Sequence, residues 1–128
     1  MKTTIATGIG VVLMLIGTSA HAGPELYTPP LRTTAHEALC SVVNLHPTKT
    51  IGLDVELIST SIIGSSVLSS TSCAAVAPGV SCAVSVNIGL DTVYCKFTVN
   101  GTGKRRVRGG ITFRDLTTLQ IVAGAAAD

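Results

Sequence analysis

Tryptophan is absent from this chain, and only four of its 128 residues are aromatic: Tyr27, Tyr94, Phe97 and Phe113. Carbohydrate and single-stranded nucleic-acid sites stack their ligands on flat aromatic surfaces. Phe97 and Phe113 fall at expected core positions, so little is left for stacking, and a nucleic-acid partner is not expected. Charge is scarce as well, at 12% of residues. The seven acids and the eight Lys/Arg after residue 22 leave a net charge of +1 there. That is too small for a global field that concentrates polyanions.

The motifs of common chemistries are missing too. No C-x-x-C pair accompanies the four cysteines, and no G-x-S-x-G elbow is present. A blue-copper site uses two His, a Cys and usually an axial Met. Both methionines, Met1 and Met14, lie in the first 22 residues, and no His follows Cys95. His36 and His46 sit at expected strand ends and read as solvated. Asp54 and Glu56 are two residues apart, so they share one face of an extended strand. Without a D-x-D-x-D-G loop they read as a polar face in water rather than a Ca²⁺ site or an acid/base pair. No cofactor, no metal and no catalytic residue is expected, so the chain is not expected to be an enzyme.

What is present begins with "MKTTIATGIGVVLMLIGTSAHAG". One Lys precedes an apolar run from Ile5 to Ile16, and Ala20-His21-Ala22 fits the small-x-small rule for signal peptidase. The run is shorter than the ~20 residues that cross a bilayer. Residues 1–22 therefore read as a signal peptide, and no membrane span is expected after cleavage. The destination is secreted or periplasmic. Cys40, Cys73, Cys82 and Cys95 all lie beyond the leader, and an even number in a small exported domain reads as two disulfides.

Residues 23–36 hold Pro24, Pro29 and Pro30, which forbid a helix. They read as an extended arm with a short strand around Leu31. "ALCSVVNLHP" is apolar on both faces, as in a buried strand. "TIGLDVELIS" alternates strictly, with Ile51, Leu53, Val55 and Leu57 on one side. Ser59–Ser72 is Ser/Thr-rich and reads as a weak strand around Ile62 to Leu68, at a sheet edge. "APG" at 77–79 is a turn signal. "VSCAVSVNI" and "TVYCKFTVN" alternate again, and Cys73 and Cys82 can face each other across the "APG" turn. A last strand is expected through Leu119 to Val122. The sandwich domain is thus placed at 37–123, with 124–128 as a flexible tail. About seven short strands with turns between them predict an all-β antiparallel sandwich whose thin core is stapled by disulfides.

The segments "LCSVVN", "GLDVEL", "APG" and "DTVYCKFTV" are similar to immunoglobulin-like sandwiches. Tyr94 stands one residue before Cys95, not two, and the core Trp of antibody domains is missing. The resemblance implies a Cys pair across the two sheets, Cys40 with Cys95. More closely, "LYTPPL", the C-x-V-x-N strand and "YCKFTVNG…VRGGI" resemble small exported bacterial proteins of unassigned function, over most of residues 26 to 113. That likeness implies no activity.

The basic run Lys104 to Arg108 is the strongest local charge. Asn100-Gly101 is a hairpin signal. On a returning strand Lys104, Arg106 and Arg108 share the outward face with Arg114, and Arg105 falls on the apolar side. The run reads first as the solvated arm of a hairpin. Its functional reading is a candidate anion-binding patch for an envelope glycan, another polyanion or an acidic envelope protein. The function expected is a non-catalytic binding or structural module, with polyanion binding through Lys104–Arg108 as the alternative.

Overall fold

The computed structural model describes residues 23–34, 36–101 and 103–128, so the expected signal peptide lies outside the described residues. Nine strands form: β1 (Glu25–Tyr27), β2 (Leu31–Thr33), β3 (His36–Asn44), β4 (Ile51–Ser61), β5 (Gly64–Val76), β6 (Ser81–Ile88), β7 (Asp91–Asn100), β8 (Val107–Asp115) and β9 (Ile121–Ala126). They build two antiparallel sheets. In the first the order is β1-β7-β4-β5, with β2 also on β7; in the second it is β6-β3-β8-β9.

The apolar alternation places the core between the sheets. Ile51, Leu53, Val55 and Leu57 of β4 are buried, as are Val93, Cys95, Phe97 and Val99 of β7. Ala38, Cys40 and Val42 of β3 face them with Val107, Ile111 and Phe113 of β8. Period two buries every other side chain and leaves the rest outward. The outward residues of β3, Leu39, Ser41 and Val43, are only half-buried, so this strand is covered on one face rather than two.

Both disulfides join one sheet to the other. Cys40 of β3 bonds Cys95 of β7, with their Cα atoms 5.7 Å apart. Cys73 of β5 bonds Cys82 of β6 at 6.1 Å. The pairs are those expected, but the second does not cross a hairpin. The turn Ala77–Val80 closes with Val80 N–H donating to the Ala77 carbonyl (3.0 Å), and Gly79 has φ 79. Pro78 before a left-handed Gly79 is the residue pair a type II turn requires. The turn carries the chain from an edge of one sheet to an edge of the other.

Several expectations are corrected. The strand count is nine rather than about seven, because the Pro-containing arm supplies β1 and β2. Pro29 and Pro30 fall between these strands, at the sheet edge where no N–H is needed. The weak strand around Ile62–Leu68 is instead a two-residue turn at Ile62–Ile63 followed by the long β5. Residues 124–126, expected in a flexible tail, end β9, and Asp128 exchanges backbone hydrogen bonds with Tyr27 at 2.9 and 3.0 Å. Most consequentially, β7 and β8 lie in different sheets. The basic run is therefore not the arm of a hairpin; it sits on a corner between the sheets.

Candidate anion-binding end

One end of the sandwich gathers the end of β3, the start of β4, the β5–β6 turn, the end of β7 and the start of β8. Asn44 organises it. This side chain is fully buried. Its Nδ2 donates to the carbonyls of Lys49 and Val76, both at 2.8 Å, and its Oδ1 accepts from the His46 N–H at 2.8 Å. Its backbone N–H donates to the Val80 carbonyl (3.0 Å), and its carbonyl accepts from Gly79 N–H (2.8 Å). A buried amide persists only when its donors and acceptors are met. Here they tie the β3–β4 loop to the β5–β6 turn.

The β3–β4 loop is folded around His46. Its Nδ1 accepts from the N–H groups of Thr48 (3.2 Å) and Lys49 (2.9 Å), which places the proton of the neutral ring on Nε2. Partial burial, and then the charges of Arg106 and Lys49, hold the imidazole below its ordinary pKa. The two cations therefore lie close to this ring, and the loop and the basic run meet.

Lys104–Arg106 form a single 3₁₀ turn, in which Arg106 N–H donates to the Gly103 carbonyl (3.1 Å). Leu45 N–H donates to the Arg106 carbonyl at 2.7 Å and anchors this turn to the β3–β4 loop. The strand face expected for Lys104, Arg106 and Arg108 does not exist, because only Arg108 lies in β8. Three residues per turn splay successive side chains rather than alternating them. Arg105 and Arg106 are both exposed, with Arg106 toward His46 and Lys49. Arg105, placed on the apolar side by strand alternation, instead joins Arg108 on an open groove of about 450 Å³. Leu26, Val107, Ala126 and Ala127 give the groove an apolar lining, and Asp128 adds one acid.

The ion pairs among the described residues lie elsewhere. Lys96 pairs with Glu25 (3.6 Å) and Glu56 (3.5 Å), and Arg114 with Glu37 (2.5 Å). Arg114 is thus held by Glu37 on β3 and is separate from the basic end. Asp54 accepts from Ser72 Oγ (2.5 Å) and Asn100 Nδ2 (3.3 Å) on the outward face of β4. His36, at the start of β3, contacts Thr33 Oγ1 through Nδ1 (2.6 Å) and stacks on Phe113. Phe97 and Phe113 are core residues. No group of three or more His, Cys, Asp or Glu among the described residues could hold a metal ion.

Strand periodicity missed Arg105, Lys49 and His46 as members of this end. Lys49 and His46 had no sequence signal, being more than 50 residues before the run they approach. Asn44 was visible only as the last residue of the C-x-V-x-N strand.

No family model matches the chain, and no curated protein matches it. A solved structure, titled Crystal Structure of Thermotoga maritima 1070, is similar with a TM-score of 0.52 and 11% identity, covering 84% of this chain and 94% of that one. At that identity the likeness is one of fold alone: an all-β arrangement of two antiparallel sheets, here stapled by two disulfides.

Proposed function

We propose that the chain is an exported, non-catalytic binding module on an immunoglobulin-like sandwich, and that its basic end takes an anionic ligand of the cell envelope. Two disulfides point to an oxidising, extracytoplasmic environment. Cys40–Cys95 joins central strands of the two sheets, as in the resembling family. Loss of residues 1–22 would leave Gly23 at the start of the functional chain. The absence of a catalytic role is supported by where the histidines lie. His36 opens β3 and His46 follows its far end, about 30 Å apart at ~3.3 Å per residue. All four Cys are oxidised, so no thiolate nucleophile is available.

The single observation that carries the ligand class is the cationic character of this end: Arg105 and Arg108 line the groove, and Arg106 lies by Lys49 at the adjoining β3–β4 loop, all outside the ion pairs among the described residues. Arg side chains present forks of N–H donors that match carboxylate and phosphate oxygens. The apolar lining beside Arg105 and Arg108 suits an anionic head joined to an apolar body. An acidic envelope protein would use the same cations.

The test is binding of the exported protein to immobilised lipopolysaccharide and heparin, against the variant Arg105→Ser, Arg106→Ser, Arg108→Ser. Wild-type binding is expected to weaken as salt rises through the screening range, and the variant to lose it. The variant's stability should change by under about 1 kcal/mol per exposed charge, and circular dichroism on the variant separates loss of binding from loss of fold. Binding that is indifferent to salt, or retained by the triple variant, would remove the anionic-ligand reading.

A further inference from the structure

The end opposite the basic corner gathers exposed apolar residues. Three turns leave the sandwich there, and each presents large apolar side chains to solvent. They are Ile62 and Ile63 between β4 and β5, Leu90 between β6 and β7, and Leu116 and Leu119 between β8 and β9. Ile121, which opens β9, is exposed as well. The strand registers put the three turns at one level. Continuing the β4–β7 pairing past Ser59–Val93 brings Ile62 level with Leu90. In the second sheet His36 stands opposite both Ile88 and Asp115, the residues from which the other two turns depart.

Two of these turns break local rules with no gain to the fold. Two-residue hairpin loops favour Gly, Asn, Asp and Ser, which accept turn backbone readily. The β4–β5 loop instead holds two β-branched isoleucines between the paired Ser61 and Gly64. They are 104% and 94% exposed, so they pack against nothing in their own chain. Among the described residues, Leu119 is the one non-glycine with positive φ, at 60. Gly or Asn would adopt that backbone at lower cost, and the leucine side chain is exposed. Local rules fail in this way at functional or strained sites.

We propose that this end docks on a lipid bilayer, with Ile62, Ile63, Leu90, Leu116 and Leu119 as prongs that reach the boundary between headgroups and acyl chains, and that the lipid is zwitterionic. Such docking lies in the interface and needs no spanning segment. The shape of the end favours lipid over a protein partner. β3 separates β6 from β8, so the turns that carry Leu90 and Leu116–Leu119 stand about 10 Å apart at ~4.8 Å per strand. Protein interfaces seat apolar anchors in fitted pockets. Fluid acyl chains accept separate apolar tips without such a fit. The charge pattern agrees. No Asp, Glu, Lys or Arg stands between Glu56 and Asp91, so the β4–β5 tip enters the headgroup layer flanked by Ser and Thr rather than by charges that resist burial. The carboxylates near the turns already have donors. Asp91 accepts from Ser59 Oγ (2.8 and 2.9 Å) and from Thr92 N–H (2.8 Å), and Asp115 accepts from the N–H groups of Thr117 (2.8 Å) and Thr118 (2.9 Å). Arg32 and Arg114 stand against Glu37, Asp91 and Asp115, so this end has no surplus of cations to draw it to anionic lipid.

The test is co-sedimentation of the exported protein with phosphatidylcholine vesicles at low and high salt. The wild type should pellet with the vesicles no less at high salt, because no charge drives the contact. The variant Ile62→Ser, Ile63→Ser places favoured turn residues in the loop and should weaken binding at least about tenfold. The variant Arg105→Ser, Arg106→Ser, Arg108→Ser should bind vesicles as the wild type does, so failure at this end and failure at the basic end are distinguishable. Circular dichroism and the intact disulfides verify that both variants are folded. A wild type that stays in the supernatant at every lipid concentration would overturn the proposal. So would a folded Ile62→Ser, Ile63→Ser variant that binds as the wild type does, or vesicle binding that high salt removes. Sedimentation velocity without lipid covers the other occupant. A wild type that ignores vesicles but dimerises through Ile62 and Ile63 would overturn the proposal and assign this end to a second copy.

Discussion

Asn44 carries more of the basic end than any charged residue there. Changing it to Ala removes the partner of two carbonyls and of the His46 N–H, while the site stays buried. Unmet buried groups cost about 1–3 kcal/mol each. Asn44→Ala should therefore lower stability by about 2–4 kcal/mol, seen as a lower urea midpoint at unchanged slope. His46 offers a second test. Its folded pKa is depressed, so the folded state binds fewer protons than the unfolded chain near that pKa. The stability it contributes is complete above the ordinary His value and is lost as pH falls through the folded one. A proton on Nδ1 would displace the N–H groups of Thr48 and Lys49 and add charge beside Arg106. An NMR titration should place His46 below the model-peptide value, and Arg106→Ser should move it upward. An unmoved value in that variant would show that the guanidinium is not a cause. These residue-scale features were mostly illegible beforehand, because hydrogen-bond partners far apart in the chain leave no periodic trace.

Among the elements, the strongly alternating strands were readable: β4, β6 and β7 stand where period two placed them. A buried face on one side forces that period, so sequence and structure cannot diverge there. The basic corner was misread for the same reason. Alternation in "RRVRGG" imitates a strand from Lys104 onward, but the chain needs Gly101 to Arg106 to step from one sheet to the other. Which sheet receives the next strand is a tertiary choice. It depends on facing surfaces that a local pattern does not contain. Gly109 is the element-scale signature of that choice. A Cβ there would lie 2.8 Å from the Phe97 ring, which belongs to the other sheet and is fully buried. Gly109→Ala should cost about 1–3 kcal/mol, since a packed core has no room for an added methyl group. A neutral effect in thermal unfolding would mean that β8 and β7 are spaced more loosely than described.

At the scale of the whole molecule, the two disulfides close loops of very different span, with sequence separations of 55 and 9. In the chain-entropy account these are worth about 4 and about 2.7 kcal/mol respectively. Replacing Cys40 and Cys95 together by Ala should thus destabilise more than replacing Cys73 and Cys82. Chemical denaturation of both double variants checks the order, and an inverted order would show that native-state strain dominates loop entropy. Charge is also distributed at this scale: cations collect at one end, and an uncharged flank runs along β5 and β6.

By itself the amino-acid sequence determined the all-β class, the alternating faces of the core strands, and the need for disulfide staples under a core nearly without aromatics. These follow from local period and composition, which act wherever the strand ends up. Only the tertiary structure decided that Arg105 joins Arg108 on a groove in place of the alternating trio, that Lys49 and His46 join Arg106, and that β7 and β8 part into separate sheets. Those outcomes depend on which faces meet across the core. The burial free energy that selects them belongs to pairs of distant residues, not to any stretch of chain.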